Sequence, residues 1–132
     1  MFLSRPFQTY LNALGSQVID RRIAGNPVIS AATSDSRCVG PGSLFVAVPG
    51  SRVDGASFIP AALTAGATGI VAEYVPELPE NIAYARVRSG YVAAGLVAQT
   101  AFGCPAETMR LIGITGTNGK TTCAFLLHEM LR

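Results

Sequence analysis

Residues 113–122 read GITGTNGKTT, with ten residues after them. An apolar run, RLIGIT from Arg110 to Thr115, precedes the second glycine and predicts a strand. Lys120 to Leu131 predicts a helix, because Cys123, Leu126, Leu127, Met130 and Leu131 recur at helical spacing. A glycine-rich turn between a strand and a helix is the setting of a phosphate-binding loop. Successive glycines let backbone N–H groups converge on one concavity, and the helix N-terminus adds partial positive charge there. Gly116, Thr117, Asn118, Gly119, Lys120, Thr121 and Thr122 are therefore the candidate nucleotide site. Lys120 is suited to the β- and γ-phosphate oxygens, which makes it the candidate catalytic residue, and the Thr121 hydroxyl to Mg²⁺. Lys120 is also the only lysine among ten basic residues. The match to G-x-x-x-x-G-K-[ST] is incomplete, since Ile114 stands where the first glycine belongs. A strand-to-helix turn that binds nothing is the competing reading.

Upstream, predicted strands and helices alternate. Pro6 to Leu14 suits a short helix that Gly15 ends. Val28 to Ser34 reads as a strand, as does Leu44 to Val48 after the turn GPGS. In ASFIPAALTAGA, Phe58, Ala61, Ala62 and Ala65 share a helix face, and Gly66 is the stop. Gly69 to Glu73 predicts another strand, VPELPEN a surface connection, and AYARVR a further strand. Ser89 is a candidate N-cap for a small-residue helix closed by Gly103 and Pro105. This alternation predicts an α/β fold with a largely parallel sheet. A composition break at FGCPAETM, Phe102 to Met109, divides the chain into a domain over 1–106 and the start of a second over 107–132. One strand, one loop and one helix cannot cover their own apolar faces, and Phe125, on the polar side of the last helix, suits either a missing neighbour or a lone exposed aromatic.

Composition narrows the class. Ten Lys+Arg against eight Asp+Glu give a net charge of +2, and no basic run points to nucleic acid. Three cysteines at wide spacing make neither a disulfide framework nor a zinc pattern, which predicts a reducing compartment. Neither a signal peptide nor a membrane span is legible, so a cytoplasmic protein without membrane contact is expected.

The motif GTNGKTT resembles the ATP loop of the Mur ligases, the ATP-dependent amide-bond synthetases of peptidoglycan precursor assembly. Ser34 to Arg37 (SDSR), then GPGSLFVAVPG, then SRVDGASFIPAALTAGATGIVAE, resemble the N-terminal domain of the MurE type, with D-S-R, LFVA and G-x-x-x-D-G in the family's order. The resemblance covers Val28 to Arg132. It implies a Mur-ligase substrate domain, a mixed or parallel sheet with flanking helices, followed by the first β–loop–α unit of a truncated ATPase domain. It implies a longer, monomeric enzyme that adds a diamino acid to UDP-N-acetylmuramoyl-L-alanyl-D-glutamate through an acyl phosphate, using ATP and Mg²⁺. By the same resemblance Ser34, Ser36, Ser51, Arg52 and Val53 hold the uridine-diphosphate end of the UDP-muramoyl dipeptide. Ser hydroxyls suit uracil edges and Arg52 a diphosphate oxygen. Ser51-Arg52-Val53 departs from the family, where His or Glu is common first and Gln or Arg second.

Other assignments compete. The type that adds D-Ala-D-Ala shares D-[ST]-R and LFVA. A stand-alone nucleotide-sugar-binding module and a generic phosphate-loop NTPase also remain. Asp35 and Arg37 suit a local ion pair or Asx-turn as well as a ligand site. Asp54 reads as a turn former, His128 as a solvated residue, and Cys123 as core packing.

Overall fold

A computed structural model describes residues 3–50 and 53–132. Its centre is a five-stranded sheet in the order β2-β7-β6-β5-β4. The strands are β2 (Val18–Arg22), β4 (Ala31–Thr33), β5 (Ser43–Ala47), β6 (Ala67–Ala72) and β7 (Ala83–Val87). β4 through β7 run parallel, and β2 joins β7 antiparallel at the edge. A separate two-stranded ribbon pairs β1 (Arg5–Pro6) with β3 (Val28–Ile29). The helices are α1 (Phe7–Leu14), α2 (Ile59–Thr64), α3 (Gly90–Ala101) and α4 (Lys120–Leu131). The expected α/β class with a parallel-rich sheet is what the chain forms.

Strand β5 shows why. All five of its residues are buried, and from Leu44 to Ala47 they are continuously apolar rather than alternating. Leu44 and Val46 point to the face that holds α1 and α3, among Phe7, Tyr10, Leu11, Leu14, Ala93 and Val97. Phe45 and Ala47 point to the opposite face, against Ile59 and Ala62 of α2 and Ile70. Fully burying each large apolar side chain is worth about 1.5–3 kcal/mol, and the two clusters together hold the sheet between its layers. The connection from β6 to β7 lies on the α2 face and is less superficial than expected, because Leu78 and Ile82 are buried beneath it. Arg22 staples it down. Its Nε donates to Ile82 O (3.1 Å) and its Nη2 to Leu78 O (3.1 Å), while the guanidinium stacks 5.2 Å from the Tyr84 ring.

Five readings are corrected. Val28 to Ser34 is two strands, because Ser30 turns away to bond Gly42 O and Pro41 O, and the residues on either side enter different sheets. β2 lay unrecognised in VIDRR. The α2 helix begins only at Ile59, after a 3₁₀ turn over Gly55–Phe58, so Phe58 is exposed rather than on its buried face. Arg110 to Thr115 forms no strand. No described strand lies beside it to complete a ladder, and Leu111 and Ile112 are 71% and 62% exposed. The α4 stripe is exposed apart from half-buried Leu127, and Cys123 is exposed rather than packed in a core.

Candidate functional site

Ligands in open α/β sheets bind beyond the carboxyl ends of the strands. At that end of β4 and β5 a groove of about 380 Å³ is lined by Ser34, Asp35, Ser36, Arg37, Val48, Val53, Gly55 and Phe58. Two segments build it. The first leaves β4 as an Asx-type cap: the Asp35 carboxylate accepts from Arg37 N (3.0 Å) and opens a 3₁₀ turn over Ser36–Cys38. The Thr33 hydroxyl braces the same turn by accepting from Asp35 N (3.0 Å). Arg37 then folds back in a two-point fork, Nε to Oδ1 at 2.9 Å and Nη2 to Oδ2 at 2.7 Å. The Arg37 side-chain hydrogen bonds, then its backbone N–H, hold the Asp35 carboxyl down at about 2. The local ion pair and the Asx-turn are thus both present.

The second segment leaves β5 as a narrow hairpin. Gly55 N donates to Val48 O (3.2 Å), Pro49 bridges Asp54, and Gly50 N donates to Val53 O (3.2 Å). Gly55 is required by closeness: a Cβ there would lie 2.4 Å from Val48 O and 2.7 Å from Val48 N. The Asp54 carboxylate accepts from Ala56 N (3.0 Å) and caps the following 3₁₀ turn, the turn-forming role expected of it.

Ser34, Ser36 and Val53 therefore line one groove. Ser51 and Arg52 lie outside the described residues. Two contacts around the groove left no sequence signal. Glu73, just past β6, accepts from Gly90 N (2.8 Å) at the start of α3, where Ser89 also caps Val92 N. Tyr91 donates its hydroxyl to Pro49 O (2.5 Å).

The Gly116–Thr122 segment stands apart from this groove. Gly119, at φ 75°, precedes α4 without a side-chain cap. The first-turn N–H groups and the Lys120 ammonium form a donor set that fits phosphate. Lys120 now donates to Gly116 O (2.6 Å), inside the loop's own concavity. For Mg²⁺ the chain offers the Thr121 hydroxyl, and among the described residues no cluster of three His, Cys, Asp or Glu stands ready. One protein oxygen fits a magnesium ion that takes its other ligands from phosphate and water. His128 is solvated beside Glu129, as expected. No helix among the described residues is long and apolar enough to cross a membrane.

The pattern described as Mur ligase family, catalytic domain, matches residues 28–117. The chain belongs to the Mur ligase family. It is 45% identical over 105 residues to the UDP-N-acetylmuramoyl-L-alanyl-D-glutamate--2,6-diaminopimelate ligase of Phocaeicola vulgatus, covering 79% of this chain and 22% of that one. The ligase of the same name from Synechococcus sp. (strain WH7803) is 43% identical over 110 residues, 80% of this chain and 22% of that one. The crystal structure of MurF ligase from Thermotoga maritima in complex with ADP superposes with a TM-score of 0.51 at 33% identity, over 70% of this chain and 21% of that one. The Acinetobacter baumannii UDP-N-acetylmuramoylalanyl-D-glutamyl-2,6-diaminopimelate--D-alanyl-D-alanyl ligase shares the fold, with a TM-score of 0.64 at 24% identity over 92% of this chain and 26% of that one. This chain thus spans about a fifth of the length of its curated Mur ligase relatives.

Proposed function

We propose that this chain supplies the substrate-holding domain and the opening of the ATP site of a MurE-type ligase. That enzyme joins a diamino acid to UDP-N-acetylmuramoyl-L-alanyl-D-glutamate. The observation that carries the reading is the groove at the carboxyl ends of β4 and β5, where Ser34, Ser36 and Val53 converge. Its serine hydroxyls suit the donor and acceptor edges of uracil, and the Arg37 fork retains N–H groups that the Asp35 pair leaves free. Arg52, adjoining Val53 in sequence, is the cation proposed for the diphosphate.

The chemistry follows from a weak electrophile. A carboxylate resists amine attack until one oxygen becomes a leaving group. A carboxylate oxygen of the muramoyl dipeptide attacks the γ-phosphorus of ATP, and ADP departs. The amine nitrogen of the diamino acid then attacks the acyl carbon, and the tetrahedral intermediate collapses by expelling phosphate. Lys120 offsets the charge on the moving phosphoryl group in both steps. Magnesium, held in part by Thr121, would neutralise further phosphate charge. A cytoplasmic, monomeric full-length enzyme belongs to the same reading.

The D-Ala-D-Ala-adding type is the second reading, favoured by the 33% identity to the Thermotoga maritima MurF. The 45% identity to a diaminopimelate ligase supports the first more strongly. Calorimetric titration of the chain with the UDP-muramoyl dipeptide tests the reading. Ser36→Ala should weaken binding about fivefold, one hydrogen bond's worth, with circular dichroism unchanged. An unaltered titration contradicts the assignment.

A further inference from the structure

We propose that Tyr91 is a positioning residue for the substrate groove, acting through the hairpin that follows β5; this rests on the reading above. Tyr91 is 64% exposed, so core packing does not account for its placement. Its hydroxyl instead reaches across 42 residues of sequence to Pro49 O. Pro49 is the first hairpin residue beyond the Val48–Gly55 closure, and it bridges Asp54 on the returning strand. One hydrogen bond from a helix therefore holds Pro49, whose bridge partner Asp54 adjoins Val53 in the groove.

The anchor is rigid at its other end. Tyr91 is the second residue of α3, whose start is held by the Ser89 cap and by the Glu73 carboxylate on Gly90 N. Gly90 lets the helix approach the hairpin closely: a Cβ there would lie 2.9 Å from Pro49 Cδ and 3.2 Å from Ala47 O. Glu73 leaves β6 and Pro49 follows β5, so the clamp ties the hairpin to the ends of two neighbouring strands through α3. A hairpin free to swing about Val48 and Gly55 would present Val53 to the groove for only part of the time. Apparent affinity falls with the fraction of competent conformer.

Tyr91→Phe keeps the ring and removes the hydroxyl. The ¹H–¹⁵N resonances of Gly50, Val53 and Gly55 should shift in the free chain, and affinity for uridine diphosphate should fall about threefold to tenfold. The thermal midpoint should stay at that of the parent chain, since the ring remains exposed. Unchanged hairpin resonances together with an unchanged uridine-diphosphate titration would overturn the proposal. So would a loss of affinity matched by a lowered thermal midpoint, which marks general support of the fold. A parent chain that binds no uridine diphosphate overturns the proposed function itself. The hairpin resonances, read without ligand, separate that failure from failure of the clamp.

Discussion

Replacing Gly55 by alanine adds one methyl group at the tightest point of the hairpin. The new Cβ would sit 2.4 Å from Val48 O, 2.7 Å from Val48 N and 3.1 Å from Ala47 C. All three are backbone atoms at or just past the end of β5, a fully buried strand flanked by β4 and β6, so they cannot step aside. Relief must come from the hairpin, by opening the Gly55 N to Val48 O bond and the Pro49–Asp54 bridge. Overpacking of this kind costs about 1–3 kcal/mol. With an unfolding entropy of about 2.1 cal/mol/K per residue, that lowers the melting temperature by roughly 4–10 °C for a chain of this size. Gly95→Ala is the matched control. It adds the same methyl group within α3, where nothing lies within 4 Å, and should stabilise by about 0.5–1 kcal/mol. Differential scanning calorimetry of both variants reads the two signs. A Gly55→Ala chain as stable as its parent would refute the close-approach argument, and with it the geometry of the groove wall.

Asp35 should titrate near 2 when followed by the ¹³C resonance of its carboxyl. Because its folded value lies below the ordinary aspartate value of about 4, the turn gains stability above that value and loses it as pH falls through about 2. Arg37→Ala should return the titration toward the ordinary range, and a midpoint still near 2 in that variant would show that the fork is not the cause. ATP should bind this chain with a dissociation constant on the order of millimolar, because every residue from 115 to 126 is exposed and no wall buries the adenine. Micromolar affinity by calorimetry would contradict this, whereas loss of the weak binding in Lys120→Ala would support the loop's role.

Much of the fold was legible because its strongest elements announce themselves locally. LFVAV is apolar throughout and bounded by turns, and its first four residues lie in β5, an interior strand between β4 and β6. Ser89 and Gly66 mark a helix start and a helix end where the structure has them. β2 was missed because VIDRR is an edge strand with three charged residues and an Ile19 that is 52% exposed. Its strand character comes from pairing with β7, more than sixty residues away. The reverse error occurred at Arg110 to Thr115, where apolar propensity predicted a strand and no described partner completes the ladder. The groove divides in the same way. Ser34, Ser36 and Val53 are named by the family resemblance of short motifs, and Asp35 with Arg37 as a local ion pair or Asx-turn, which the structure forms. Tyr91 and Glu73 were invisible, because their partners lie 42 and 17 residues off and meet them only after the sheet forms.

The central claim is that the uridine-diphosphate end of the substrate seats at the carboxyl ends of β4 and β5. Titrating the ¹⁵N-labelled chain with uridine diphosphate maps the contact residue by residue. The account predicts saturable shifts confined to Ser34–Arg37 and Val48–Gly55. Shifts centred instead on Gly116–Thr122, or none at any ligand concentration, would contradict it.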